Sequence, residues 1–191
     1  VPNGNLRLTV MSDTSRPAHP DELARMITLL EEGLCAGAWG FSSGLEYPSE
    51  RHASEAELTA LCSTVGKVGG VYSAHTRNRE RNAVESVEEA IRTASKASVR
   101  LQVSHIVPRR GGSADALERS IESIENAVDR GVDVTFDSHT RLHGITNLSA
   151  ALPLEVATQD PAALRAELLR RNTRATIRSH PSIISSFALG G

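Results

Sequence analysis

The chain has 191 residues, 39% apolar and 23% charged, with a formal charge of −2 and a pI near 6.4. This balance predicts a water-soluble globular fold with one real core, and it leaves nothing to draw the surface to nucleic acid or anionic lipid. Aromatic residues at 3% are too few for a base-stacking platform.

No apolar run is long enough to span a bilayer and no signal-peptide pattern is visible, so no membrane partner and a cytoplasmic location are expected. Cys35 and Cys62 fall on predicted apolar helix faces and read as reduced core thiols rather than a disulfide.

In chain order, Leu6-Arg7-Leu8-Thr9-Val10-Met11 alternates as a half-buried strand would. After a loop marked by Arg16-Pro17, Pro20 opens a helix with Asp21 and Glu22 in its first turn. Leu23, Met26, Ile27, Leu30 and Leu34 form its apolar stripe, and Gly37 ends it. Ala38 to Gly44 is a short strand, and Leu45 to His52 is a loop containing Tyr47-Pro48. Ser54-Glu55-Ala56-Glu57 reads as a capping box before a helix carrying Leu58, Leu61, Cys62 and Val65. A strand then runs from Val71 to His75.

Asn82 is placed to cap a helix with Val84, Val87, Ala90, Ile91 and Ala94 on one face. A second histidine-ended strand covers Leu101 to His105. Ser113 opens a helix whose stripe is Leu117, Ile121, Ile124 and Val128, and Gly131 ends it. Asp133 to Asp137 is the next strand. Residues 138–152 show no periodicity. Asp160-Pro161 starts a helix with Leu164, Leu168 and Leu169, and Thr173 to Ser179 has helical character.

Phe41, Ser73, Val103 and Thr135 recur at a spacing of roughly thirty residues, the size of one strand-helix unit. Units of this kind wind right-handed into a parallel α/β sheet, either open and doubly wound or closed as a (β/α)8 barrel of the TIM type. No glycine-rich phosphate turn follows a first strand, which favours the barrel. About five units are countable against the barrel's eight. The expectation is a single partial barrel domain over residues 1–191, with 178–191 as a tail. The chain begins Val1-Pro2 without an initiator methionine, which fits a piece of something longer.

Chemistry in such folds gathers at the C-terminal ends of the strands. His75 and His105 end strands of adjacent units, and neutral imidazole suits zinc and related ions. They are the candidate metal ligands.

The residues Gly37-Ala38-Trp39-Gly40-Phe41-Ser42-Ser43-Gly44-Leu45, Tyr47-Pro48, Gly69-Gly70-Val71-Tyr72 and Ala74-His75-Thr76-Arg77-Asn78 together resemble the N-acyl-D-amino-acid deacylases (D-aminoacylases) of the amidohydrolase superfamily. The similarity continues through Gln102 to His105, Gly131 to Asp137, Leu148 to Pro153 and Arg174 to Arg178. It matches the middle-to-late part of that family's barrel.

The resemblance implies a distorted (β/α)8 barrel with a small flanking β domain, and one or two zinc ions at the strand ends. It also implies metal-assisted hydrolysis of the amide bond in small N-acyl-D-amino acids. The histidines ending the family's fifth and sixth strands match His75 and His105. The family's His-x-His pair, ligating cysteine and eighth-strand catalytic aspartate have no match here, so the catalytic residue is left unassigned. Those parts would lie before Val1 and after Gly191. Two histidines alone hold zinc weakly, so the isolated chain is not expected to turn over substrate.

For the substrate carboxylate, Arg141 and Arg77 are candidates because a guanidinium binds a carboxylate bidentately. His139 is a third, in a segment that departs from the family's tyrosine-rich pattern; two residues after His105, Val107 stands where the family often has a lysine. Two other readings follow from the same residues. One is a non-catalytic barrel fragment that self-associates through its open edge. The other is a different metal-dependent barrel hydrolase, such as a cyclic amidase.

Overall fold

The computed structural model describes residues 1–79, 81–108, 113–139, 152 and 161–179. Its centre is a parallel sheet of four strands in sequence order, β1 (Gly40–Gly44), β2 (Val71–His75), β3 (Arg100–Val103) and β4 (Val134–Phe136). Helix α3 (Glu55–Gly66) joins β1 to β2, α4 (Ala83–Ala97) joins β2 to β3, and α5 (Ala116–Asp129) joins β3 to β4. Among the described residues two helices precede the sheet, α1 (Asn3–Val10) and α2 (Pro20–Cys35), and two follow it, α6 (Pro161–Leu169) and α7 (Arg171–Ser179). Among the described residues no helix is long and apolar enough to cross a membrane.

The core lies between the sheet and the helices. Phe41, Tyr72, Ala74, Leu101 and Val103 point into it from the strands and meet Met26, Leu30, Leu58, Leu61, Val65, Val87 and Ile91. Phe41 and Tyr72 stack at 5.7 Å, and the Tyr72 hydroxyl lies 2.8 Å from Ser43 Oγ, satisfying a buried polar group. The opposite face is polar: Ser73 Oγ meets Ser104 Oγ at 3.0 Å. Period-two burial along β2 and 3.6-period burial along α4 thus produce the two-sided sheet that the spacing predicts.

Glycine is required where the backbones crowd. A Cβ on Gly40 would stand 2.0 Å from the carbonyl oxygen of Val71 on the adjacent strand. Gly131 closes α5 at φ +84°, a left-handed conformation that lets the chain turn back to β4.

Several expectations need correction. Leu6 to Val10 belong to helix α1, not a strand, and Met11 is its C-cap. The alternating reading sends Arg7 to solvent, whereas Asn3, Leu6 and Arg7 are buried and Leu8 is exposed, a helical pattern. Arg7 is fully buried against Glu57, with Nη1 2.7 Å from Oε2. Its other donors reach the carbonyls of Ser49, Thr14 and Arg16.

Glu57 therefore completes no capping box. Ser54 Oγ accepts its N–H at 3.1 Å, but its carboxylate goes to Arg7 and the Ala18 N–H. Asn82 precedes α4 without a side-chain capping bond. The buried stripe of α5 is Ala116, Ser120, Ile124 and Ala127, leaving Leu117 and Val128 exposed, because small residues allow close packing on α4. Cys62 is buried as expected, whereas Cys35, at the end of α2, is exposed.

The α/β class and the parallel strand-helix repeat are those expected. Helix α5 and strand β4 line a pocket of about 430 Å³ with Ile124, Val128, Val134 and Phe136 among others.

Candidate metal centre

His75 is the last residue of β2, and its partner in register on β1 is Gly44. On the other side the register runs Ala74 to Val103, and Ser104 N–H donates to the Ala74 carbonyl at 3.0 Å. The histidines are therefore not strictly in register: His105 lies one residue further along. By strand alternation its side chain would follow Leu101 and Val103 toward the helices.

A left-handed backbone at His105, φ +42°, breaks that alternation. For a non-glycine residue this conformation costs on the order of 1 kcal/mol. Asp137, one residue past β4, offsets it: Oδ1 accepts the His105 N–H at 2.7 Å and Oδ2 accepts Gln102 Nε2 at 3.0 Å.

The result brings His75 Nδ1 and His105 Nε2 to 2.6 Å, with ring centroids 4.7 Å apart. His75 Nε2 turns the other way and meets Glu46 Oε2 at 2.9 Å. Glu46 also accepts from Arg79, both from its backbone N–H and from Nη2, each at 3.2 Å. Tyr47 lies against His75 at 5.2 Å between centroids. Burial, reinforced by the positive charge of Arg79, lowers the pKa of His105 to about 4. Its ring is neutral at neutral pH, the form in which imidazole ligates a metal.

The chemistry of this donor pair fits part of a zinc site. Two nitrogens each about 2.0–2.1 Å from a tetrahedral zinc stand roughly 3.3 Å apart. The pair, at 2.6 Å, would have to open by roughly 0.7 Å. Among the described residues no group of three or more His, Cys, Asp or Glu side chains forms a metal cluster. His75 and His105 could therefore supply two ligands of a set that ordinarily has three or four.

Of the candidates for substrate contact, His139 stands beside the pair, its ring stacked on His105 at 5.1 Å. Arg77 points elsewhere. Its guanidinium binds Glu89 at 2.8 and 3.0 Å and the carbonyls of Arg51 and Ala53, tying the loop after β2 to the loop before α3 and to α4. Arg141 lies outside the described residues.

Sequence reasoning passed over Glu46, although it sits between the quoted Leu45 and Tyr47-Pro48. A carboxylate just past a strand end was the available signal. The sequence puts Asp137 at the end of its strand, and only the fold shows its hold on the His105 backbone.

No protein-family profile matches the chain. It is 31% identical over 148 residues to the D-aminoacylase of Alcaligenes xylosoxydans xylosoxydans, covering 78% of this chain and 30% of that protein. An N-acyl-D-glutamate deacylase from Bordetella bronchiseptica, solved with zinc and a phosphonate inhibitor that mimics the tetrahedral intermediate, superposes with a TM-score of 0.66. The two are 27% identical, over 72% of this chain and 29% of that one. A D-aminoacylase structure that addresses the role of its binuclear metal center also gives 0.66, at 30% identity over 74% of this chain and 30% of that one. The chain thus spans about 30% of the length of these relatives.

Proposed function

Because the chain resembles a segment of the N-acyl-D-amino-acid deacylases of the amidohydrolase family in both sequence and fold, we propose that it supplies part of a zinc-dependent amide-hydrolysing site. The substrate is a small N-acyl-D-amino acid, and the sheet is a run of strands from a (β/α)8 barrel. One observation carries this reading: His75 Nδ1 and His105 Nε2 converge at the C-terminal ends of adjacent parallel strands. That is where such folds build their active sites.

His75 and His105 would hold the ion. A bound zinc lowers the pKa of water toward about 7 and polarises a scissile carbonyl. The protein's part is orientation. Asp137 fixes the backbone that aims His105, Glu46 bonds the far nitrogen of His75, and His139 flanks the pair where a substrate would lie. The third and fourth ligands and the general base come from outside the described residues.

Release of free amine from N-acetyl-D-amino acids and their L enantiomers tests the proposal, with the wild-type protein beside a His75→Ala, His105→Ala variant. Zinc-dependent, D-selective release that disappears in the variant, from the protein alone or completed by the remaining ligands and base, supports it. Release that survives the double substitution contradicts it.

A further inference from the structure

The Glu46 side chain is 11% exposed, in the turn after β1. Its carboxylate is held on two sides. Arg79, itself 10% exposed, donates to it from the backbone N–H and from Nη2, while Nη1 of the same guanidinium reaches the His105 carbonyl at 3.4 Å. A further contact is His75 Nε2 at 2.9 Å.

An ionised carboxylate only accepts hydrogen bonds, so the nitrogen facing it must carry the proton. That leaves the Nδ1 lone pair of His75 directed at His105. The two ring nitrogens point in widely divergent directions, so Glu46 stands behind the ligand rather than beside it.

We propose that Glu46, clamped by Arg79, is a positioning residue: it fixes His75 in the Nε2–H tautomer and aims Nδ1 at the metal. The inference rests on reading His75 and His105 as ligands. A carboxylate behind a ligating histidine sets the ring's tautomer and orientation and raises its basicity. The bond from Arg79 to the His105 carbonyl couples both histidines to one guanidinium, so the pair is positioned as a unit.

The test uses Glu46→Ala and Glu46→Gln. Nitrogen-15 NMR of the metal-free protein reports the His75 tautomer, and competition with a chromogenic chelator reports zinc affinity. Circular dichroism checks that each variant folds. Wild-type protein should show the Nε2–H tautomer. Glu46→Ala should mix the tautomers and weaken zinc binding by roughly 10- to 100-fold. Glu46→Gln keeps an acceptor and should restore the tautomer, with an intermediate affinity.

A wild-type His75 protonated on Nδ1, or an unchanged tautomer and affinity in a folded Glu46→Ala protein, would overturn the inference. Failure of wild-type protein to bind zinc would defeat the ligand reading and the aiming role with it. The metal-free tautomer would still decide separately whether Glu46 orients His75.

Discussion

His75 Nδ1 and His105 Nε2 stand 2.6 Å apart across two adjacent parallel strands, although strand alternation would send the two side chains to opposite faces. The left-handed turn at His105 and its backbone bond to Asp137 bring them together. The sheet supplies the spacing and the loops supply the aim. That division of labour sets which substitutions should damage the fold and which only the site.

The pair of Arg7 and Glu57 belongs to the fold. Both side chains are buried, at 0% and 2% exposure, and the guanidinium binds three further backbone carbonyls. Removing one partner leaves a buried charge uncompensated, which costs about 3–5 kcal/mol. Arg7→Met should lose that much in urea unfolding. The double variant Arg7→Met, Glu57→Met should recover a large part of it. A loss below about 1 kcal/mol for Arg7→Met would show that the pair is more solvated than its burial implies.

Glu50 gives the fold a pH dependence. Burial raises the pKa of its carboxyl above the ordinary carboxylate range, opposed by a bond from the Gly44 N–H at 2.7 Å. Above the ordinary value the folded state holds this proton more firmly than the unfolded state. Its contribution to stability is therefore complete below the unfolded pKa and is lost as pH rises through the folded one. Glu50→Gln keeps an acceptor for Gly44 and removes the titration. Its melting temperature minus that of wild type should grow as pH rises above about 4.3. A difference that stays flat or shrinks would show that the fold does not raise the Glu50 pKa.

Gly40→Ala probes the register. Its Cβ would meet backbone, the Val71 carbonyl oxygen at 2.0 Å, so no side-chain rotation relieves the clash. The strands β1 and β2 must separate, and the cost should equal or exceed the roughly 1–3 kcal/mol usual for overpacking. Thermal unfolding measures it. An unchanged melting temperature would mean that the parallel pairing of Gly40 with Val71 is wrong.

Much of this architecture was legible because each central helix carries its own apolar stripe. Val84, Val87, Ala90, Ile91 and Ala94 are buried on α4 as their spacing predicts. Leu6 to Met11 misled because six residues fit either period, and because the burial of Arg7 depends on Glu57, fifty residues away. On α5 the large residues outline a stripe one position off. The interface selects Ala116, Ser120 and Ala127 for close packing, and size is not what hydropathy reads. The two histidines were visible as strand ends. Glu46 was not, since only the fold places a residue of the turn after β1 behind one at the end of β2.

The most direct test of the account is the zinc content of the purified protein, by elemental analysis, beside the His75→Ala, His105→Ala variant. The account predicts zinc bound to wild-type protein equilibrated with excess metal, and lost from a folded double variant. Equal zinc content in the two proteins would contradict it.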